Sequence, residues 1–437
     1  MKNPTRFGIA DLEEIWSFLS LIERFEGLRA LPKQEMHDFF RSRGAREQAE
    51  LILALSAEKR LPWMQMLAPD DLADMLQEVP SDERAALLGL LDELTRKEVN
   101  ALLAYAEDVA GGLMNPRFVR LRPDMTVEEA FSYLRKQAQE RESFYDAYVI
   151  DADQHLLGVL SIKELFSAPH NSIIRDIMKT DLVTALDTMD QEAVSQLFRQ
   201  HNLVAIPVVD QDKRMKGIVT LDDIVDVVQE EATEDIQKIG ATESLNAPYL
   251  KVGLFEMVRK RASWLSALFL GEMLTATAMA YFEKEIARAV VLALFIPLII
   301  SSGGNSGSQA TTLIIRAMAL GDVRLRDWWR VISRELVSGL SLGVILGSIG
   351  LCRILMWPSR RTLYGEHYVM VALTVAFSLI GVVLFGTVAG SMLPFLLRRL
   401  GFDPASASAP FVATLVDVTG LVIYFTVAQI TLKGILL

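Results

Sequence analysis

Apolar residues are concentrated in five long segments of the C-terminal part of the chain. The segments cover about residues 262–282, 289–315, 336–352, 368–397 and 410–432. A helix that crosses a bilayer needs about 20 mostly apolar residues, and each segment is near that length or longer. The pattern predicts five transmembrane helices, which together form a membrane domain over residues 262–437 in contact with membrane lipid.

The N-terminal part has the periodicity of amphipathic helices instead. Its apolar residues recur at three-to-four spacing, as in Leu72, Met75 and Leu76. Pro69 and Pro80, each followed by acidic residues, stand where new helices begin. We expect an all-α domain of short stacked helices over residues 1–110.

Residues 114 to 228 contain an internal repeat of alternating strands and helices. Gly158 opens the run GVLSIKEL and Gly217 opens the matching run GIVTLDDI, while the first copy has about five extra residues in its middle. This arrangement resembles a tandem pair of cystathionine-β-synthase (CBS) domains, which are regulatory α/β modules. The two copies cover residues 114–172 and 173–230.

An acidic helix over residues 231–261 is expected to connect these domains to the membrane. It ends on Arg259, Lys260 and Arg261, which are typical of a cytoplasmic membrane anchor. The first residues lack the apolar core of a signal peptide, which places the N-terminus in the cytosol. With five spans, ten Lys and Arg flank the inner ends and six the outer ends. The prediction is a multi-pass protein of the cytoplasmic (inner) membrane with its C-terminus outside.

The net charge of −11 is divided unevenly along the chain. From Ala262 onward there are 13 Lys and Arg against 9 Asp and Glu, so the preceding part is strongly acidic. Nucleic-acid binding needs basic patches, so the acidic part excludes that partner and favours divalent cations. Cys352 is the only cysteine, which excludes a disulfide framework and a Cys-rich zinc site.

One carboxylate lies in the middle of the last apolar segment. Asp417 is the only charged residue of the run from Pro410 to Leu432. A charge at that depth is costly in lipid, so such a residue usually faces a water-filled path or a partner. Asp417 is therefore the first candidate for an ion-binding residue.

The second apolar segment is interrupted by small and polar residues. Three glycines and four serines accompany Asn305 and Gln309, which lie four apart and so share one helix face. Small residues permit close approach of a neighbouring helix, but packing does not explain the two amides. Asn305 and Gln309 are therefore candidate ion-binding residues of the pore. A phosphate-binding loop is excluded because its lysine and its preceding strand are absent.

The stretch from Pro297 to Arg316 resembles the signature PLxxxxGGNxGxQxxTxxIR of the MgtE family of magnesium channels. The order of helical domain, CBS pair, acidic helix and five spans is similar to that family as well. The resemblance implies a homodimeric Mg²⁺ channel that closes when internal Mg²⁺ is high. It assigns ion binding in the pore to Asp417, with Ala413 one turn earlier and Thr414 beside it, and places Asp403 at the cytoplasmic mouth.

Acidic residues are dense at the end of the second CBS copy and in the connecting helix. A solvated surface is the ordinary explanation, and the alternative is repulsion between acidic surfaces that Mg²⁺ relieves by bridging them. The candidate regulatory ligands are Asp222, Asp223, Asp226, Glu230, Glu231, Glu234 and Asp235, together with Asp70, Asp71 and Asp74 of the N domain.

The regulatory ligand and the function itself each have alternatives that the sequence leaves open. Thr220 and Asp223 are similar to the ribose-contacting pair of nucleotide-binding CBS domains, which suggests ATP as a regulatory ligand. The transported ion could be another hard cation such as Co²⁺ or Mn²⁺, since oxygen ligands suit all of these. A membrane sensor is the third hypothesis, whereas an enzyme is not expected because no nucleophile–base pair or kinase motif is present.

Overall fold

The computed structural model describes residues 8–137, 146–245, 249–250 and 252–436. These residues form two compact units, Met1–Gln229 and Glu230–Leu437, and the division falls within one long helix. Each unit is described separately.

From residue 8 onward, the described part of the first unit begins with eight short α-helices around a shared apolar core. Leu72, Met75 and Leu76 are almost completely buried, as the helical periodicity predicts. Asp92 shows how these helices begin, because its carboxylate accepts hydrogen bonds from the amides of Leu94 and Thr95 at 3.0 Å. The helices are α1 (Ile9–Ile15), α2 (Leu21–Ala30), α3 (Lys33–Arg41), α4 (Ala45–Ala54), α5 (Ala57–Met64), α6 (Pro69–Gln77), α7 (Ser81–Leu90) and α8 (Glu93–Leu102).

Two α/β copies follow in the same unit, which confirms the predicted fold of the repeat. The first contains α9 (Ala110–Leu113), β1 (Arg120–Leu121), α10 (Val127–Gln137), β2 (Asp146–Ile150), β3 (Leu156–Ser161) and α11 (Ile162–Ser167). The second contains α12 (Ile174–Ile177), β4 (Ala185–Leu186), α13 (Gln191–His201), β5 (Ala205–Val209), β6 (Met215–Thr220) and the long α14 (Leu221–Ile239). The predicted five-residue insertion falls in 138–145, outside the described residues.

The two copies have the same sheet topology and pack on each other. In each sheet the first strand is parallel to the second and the second is antiparallel to the third. Asn115 and Ile218 exchange backbone hydrogen bonds of 2.7 and 3.0 Å between the copies. Phe118 and Tyr148 pack against Ile218 in a small core of their own. The repeat therefore forms one body with approximate internal symmetry.

The second unit consists of the end of α14 and the apolar helices. These are α15 (Leu254–Tyr281), α16 (Glu283–Arg288), α17 (Ile296–Ala319), α18 (Trp328–Leu355), α19 (Arg360–Tyr364), α20 (Tyr368–Arg399) and α21 (Ala409–Leu432). The connecting helix predicted over 231–261 is not continuous, because α14 ends at Ile239, Ala241 has a positive φ of 56°, and α15 begins only at Leu254. Among the described residues, four stretches are long and apolar enough to span a membrane: Val290–Ala319, Leu325–Leu355, Tyr368–Arg399 and Ala409–Leu432.

The first of the five predicted spans does not meet this criterion of length and hydropathy. Its helix α15 has 28 residues, which is sufficient length for a crossing. Glu272 and several Ser and Thr residues lower its hydropathy below that of the other four helices. Several apolar spans are thus confirmed, whereas the fifth crossing, and with it the outside position of the C-terminus, stays a prediction.

Glycines bring α17 and α20 into backbone contact at the centre of this unit. A Cβ added at Gly386 would lie 2.3 Å from the Gly303 carbonyl oxygen, and one at Gly390 would lie 2.2 Å from that of Gly307. Two glycine pairs at four-residue spacing therefore interlock, as small residues do at close membrane-helix interfaces. This contact fixes the orientation of α17, which carries the polar stretch.

Candidate ion site in the membrane unit

The helix α17 distributes its polar residues over three faces. Toward α20, the Ser306 hydroxyl lies 2.7 Å from that of Thr387, and Thr311 donates to the Gly390 carbonyl at 2.8 Å. Toward α21, Ser308 donates to the carbonyl of Ala409 at 3.1 Å. Several polar residues of the stretch thus join helices.

The third face of α17 opens on a cavity of about 350 Å³ between α15, α17 and α21. Its wall combines carboxylate, amide and hydroxyl groups with a few apolar side chains. The lining residues are Glu272, Thr275, Pro297, Ile300, Ser301, Gly304, Asn305, Ser308, Ala413 and Asp417. No lysine, arginine or histidine is among these lining residues, so the cavity is suited to a cation.

The structure places three of the five predicted pore residues in this cavity. Asp417, Asn305 and Ala413 line it. Gln309 is exposed and is not among the lining residues, although it lies one turn from Asn305. Thr414 is not among them either: its hydroxyl donates to the Pro410 carbonyl at 3.1 Å, and its methyl group packs beside Gly271 of α15. Thr414 therefore contributes to helix packing.

Asp403 lies before α21 and is held by two local interactions. Its carboxylate caps the 3₁₀ turn Pro404–Ser406 by accepting from the Ala405 amide at 2.8 Å. The other oxygen lies 2.6 Å from the ammonium of Lys238, near the end of α14, which also pairs with Glu234. Burial alone would lower the pKa of Lys238, but the hydrogen bonds that its ammonium donates to the Asp403 and Glu234 carboxylates raise it overall. Lys238 thus links the connecting helix to the loop that leads into α21.

A second group of carboxylates lies in the first unit, between α6 and the start of α14. Asp71 of α6 lies close enough to Asp222 and Asp226 for their charges to raise its pKa, although burial contributes more. Burial, followed by the charges of Asp222 and Asp71, raises the pKa of Asp223 to about 7 against the opposing effect of its Thr220 hydrogen bonds. The charge of Arg41 opposes this increase at Asp71. Four predicted regulatory residues therefore lie in one acidic region with Arg41 close to Asp71.

The other predicted regulatory residues have different surroundings. Asp70 is buried and accepts a hydrogen bond of 3.1 Å from the Asn115 amide. Glu234 pairs with Lys238. Glu230 is exposed and Glu231 and Asp235 are half-buried on α14, while Asp74 is half-buried on α6.

Thr220 and Asp223 make a capping interaction with each other. The Thr220 hydroxyl donates to the Asp223 carboxylate at 2.6 Å, and the Thr220 amide donates to it at 3.2 Å. Ser161 and Glu164 form the corresponding box in the first copy, at 2.8 and 3.0 Å. Helix capping therefore accounts for this pattern in both copies.

The chain has extensive similarity to known proteins. A family model described as "divalent cation transporter" (MgtE) matches residues 296–427, an MgtE intracellular N domain matches 7–108, and CBS domains match 106–171 and 174–230. The magnesium transporter MgtE of Thermus thermophilus is 40% identical over 97% of this chain and 93% of its own length. The chain belongs to the MgtE family.

Other MgtE relatives match as well. The magnesium transporter MgtE of Enterococcus faecalis is 33% identical over 77% of this chain and 72% of its own length. A crystal structure of the cytosolic domain of the Mg²⁺ channel MgtE in complex with ATP is 38% identical, with a TM-score of 0.48, and covers 50% of this chain and 90% of that chain. Membership of MgtE makes the chain a transporter-family membrane protein.

Sequence reasoning gave no definite role to three features of this MgtE chain. Lys238 is a single cation in an acidic helix, and Glu272 is a second carboxylate within a predicted span whose role the sequence leaves open. Among the described residues, ligand atoms of Asp151, Asp153 and His155 lie within 4.8 Å of one another. The second copy has Asp210 in the same kind of turn, with Arg214 in the place of His155. Turn formation is therefore a sufficient explanation for this last group.

Proposed function

We propose that the chain is a Mg²⁺-selective channel that mediates magnesium uptake, and that the ion passes through the cavity that contains Asp417. The observation that carries this proposal is the position of that carboxylate. Asp417 lies in an apolar membrane helix yet lines a polar cavity without basic residues. The curated relatives that are 40 and 33% identical are both named magnesium transporters, which supports Mg²⁺ as the ion.

The chemistry of the cavity fits a hydrated magnesium ion. Mg²⁺ prefers six oxygen ligands in octahedral geometry and releases its water reluctantly. Each water needs about 10–15 Å³ of such cavity volume, so six waters fit within the cavity of about 350 Å³. The Asp417 carboxylate and the Asn305 amide oxygen can accept hydrogen bonds from that water shell. The ion crosses without being stripped of its water.

The proposal includes a homodimer in the cytoplasmic membrane. Two copies around a two-fold axis would place two Asp417 carboxylates on one conduction path, and this symmetry is the commonest among oligomers. A chemically cross-linked dimer in native membranes would support this arrangement. A protein that remains monomeric in native-like lipid while it conducts would contradict it.

Asp417→Asn is the direct test of the pore, because it keeps the shape of the side chain and removes its charge. In proteoliposomes we expect the Mg²⁺ flux to fall roughly 100-fold, as expected when about 3 kcal/mol of ion stabilisation is lost. Thr426→Val is the control, since Thr426 lies on the same helix, is exposed and is not among the cavity-lining residues. Equal flux through Asp417→Asn and wild type would refute the proposal, and stronger competition by Co²⁺ or Mn²⁺ would change the preferred ion.

Regulation is the second part of the proposal. Cytosolic Mg²⁺ binds near Asp71, Asp222, Asp223 and Asp226, relieves their mutual repulsion, and favours a closed channel. A ligand shifts such an equilibrium only by its difference in affinity between the two states. Limited proteolysis of the full chain with and without Mg²⁺ tests this, because unchanged cleavage would exclude a Mg²⁺-dependent state.

ATP is proposed to bind the second CBS copy at Thr220 and Asp223. Calorimetry tests this binding, and the absence of a heat change on adding ATP would exclude it.

A further inference from the structure

We infer that Glu272 is a second carboxylate of the ion path, and that it gives the site its preference for divalent over monovalent cations. This inference rests on the proposed function. It adds a residue from α15 to a site otherwise formed by α17 and α21. In the sequence Glu272 is an isolated charge in a marginally apolar helix, and only the packing of α15 gives it this position.

The position of Glu272 is fixed by the contact of α15 with α21. A Cβ added at Gly271 would lie 3.0 Å from the Thr414 methyl group, so the two helices approach closely at this level. Glu272 follows Gly271, and Asp417 lies three residues, or about one helical turn, beyond Thr414. Both carboxyl groups line the cavity, and their side chains lie within interaction distance of each other.

This pair of carboxylates has no counter-charge within the cavity wall. The lining residues other than Glu272 and Asp417 are neutral. Two ionised carboxylates that line the same cavity repel each other unless a cation lies between them or nearby. A divalent ion offers each carboxylate twice the attraction that a monovalent ion offers. The pair therefore favours divalent ions electrostatically, whereas one carboxylate alone discriminates less.

Thr275 is an independent indication that the α15 side of the cavity receives a polar ligand. It lies three residues after Glu272 and lines the same cavity. Its hydroxyl oxygen is buried and has no hydrogen-bond partner among the described residues. Buried polar groups are nearly always hydrogen-bonded, so an unpaired one calls for a ligand or water. A water molecule of a hydrated cation would satisfy Thr275 and Glu272 together.

The test compares Glu272→Gln with Glu283→Gln in proteoliposomes of the full chain. Glu283 begins α16, is exposed and is not among the cavity-lining residues, so the control removes the same charge elsewhere. For Glu272→Gln we expect the Mg²⁺ concentration at half-maximal flux to rise roughly ten-fold, with Na⁺ flux less affected, because the attraction scales with ion charge. Block by hexaamminecobalt(III), a cation that cannot exchange its ligands, should weaken in parallel.

Three outcomes separate this inference from the proposed function. Absence of Mg²⁺ flux through the wild type would refute the proposed function itself. Mg²⁺ flux that depends on Asp417, with Glu272→Gln and Glu283→Gln indistinguishable in half-saturation and block, would refute only the role of Glu272. Glu272→Asp guards against a folding defect, since it keeps the charge and should lie between wild type and Glu272→Gln in half-saturation. A Glu272→Asp variant as impaired as Glu272→Gln would overturn the electrostatic explanation.

Discussion

The carboxylate group of the membrane unit and the acidic group of the first unit have different surroundings. In the membrane unit, Glu272 and Asp417 line a cavity of about 350 Å³. In the first unit, Asp71 and Asp223 are largely removed from solvent, and burial is the main cause of their raised pKa values. The first arrangement suits an ion that passes with its water. In the second arrangement, repulsion and desolvation make the ionised carboxylates unfavourable, and a bound cation can relieve this cost. Such an arrangement suits a switch.

Neutralising each carboxylate group in turn tests whether the two groups have different roles. Asp417→Asn should abolish most flux, as described above. The double variant Asp71→Asn with Asp226→Asn should conduct normally but need several-fold more internal Mg²⁺ for closure, because fewer charges then bind the closing ion. Flux from proteoliposomes with buffered internal Mg²⁺ measures both quantities. Normal closure in the double variant would remove the cytosolic group from the gating proposal.

The cavity depends on the close contact of α17 with α20, which Gly390→Ala would disturb. The added methyl group would meet the Gly307 carbonyl at 2.2 Å, so the helices must separate. We expect a loss of about 2 kcal/mol or more in stability from such overpacking. Thermal unfolding in detergent measures it, with Gly381→Ala of the same helix as the control, since its new methyl would meet only the Ile423 side chain at 3.1 Å. Equal stability of the two variants would contradict the interlocked arrangement.

The stored repulsion in the first unit predicts a pH-dependent effect of Asp223→Asn. The pKa of Asp223 is raised from 3.8 to about 7, so ionisation of the folded protein carries a penalty that grows as pH rises through that range. Without Mg²⁺, the neutral variant should be more stable than wild type by ~1–2 kcal/mol at pH 8 and not more stable at pH 4. Hydrogen exchange of α14 amides at the two pH values checks this. A stability difference that does not vary with pH would exclude the burial effect.

The smallest expected effect concerns carboxylates that already have a cation. Lys238 pairs with Asp403 at 2.6 Å and with Glu234, and all three side chains are partly exposed. Lys238→Met should therefore reduce protection of the end of α14 by only about 1 kcal/mol. Hydrogen exchange measures this protection, and the effect should shrink in high salt. A salt-independent loss would indicate packing of the lysine stem as the cause.

Local pattern was sufficient to predict much of the fold. The spacing of Leu72, Met75 and Leu76 predicted a buried helix face, and the runs beginning at Gly158 and Gly217 predicted paired strands. Both signals are periodic and depend on neighbours in the sequence. The number of spans was harder to predict, because a single carboxylate such as Glu272 lowers the mean hydropathy of a whole helix.

The sequence could not predict which polar residues of α17 line the cavity and which hydrogen-bond to neighbouring helices. Asn305 and Gln309 share a nominal face, yet only Asn305 is among the residues that line the cavity. Ser306 and Thr311 turn toward α20 because the glycines admit that helix to contact distance. The packing of α20 and α21 determines which face of α17 contacts each neighbour. The residue spacing within α17 does not predict this packing.

The sequence by itself determined the order of the domains, the repeat, the apolar helices and the presence of Asp417 at the centre of one of them. These follow from composition and from periodicities of two and 3.6 residues, which act over short distances along the chain. Only the tertiary structure decided that Glu272 faces Asp417, that Thr414 packs instead of lining the cavity, and that Lys238 reaches Asp403. Such contacts join residues far apart in the chain, and they depend on helix rotations that packing alone sets.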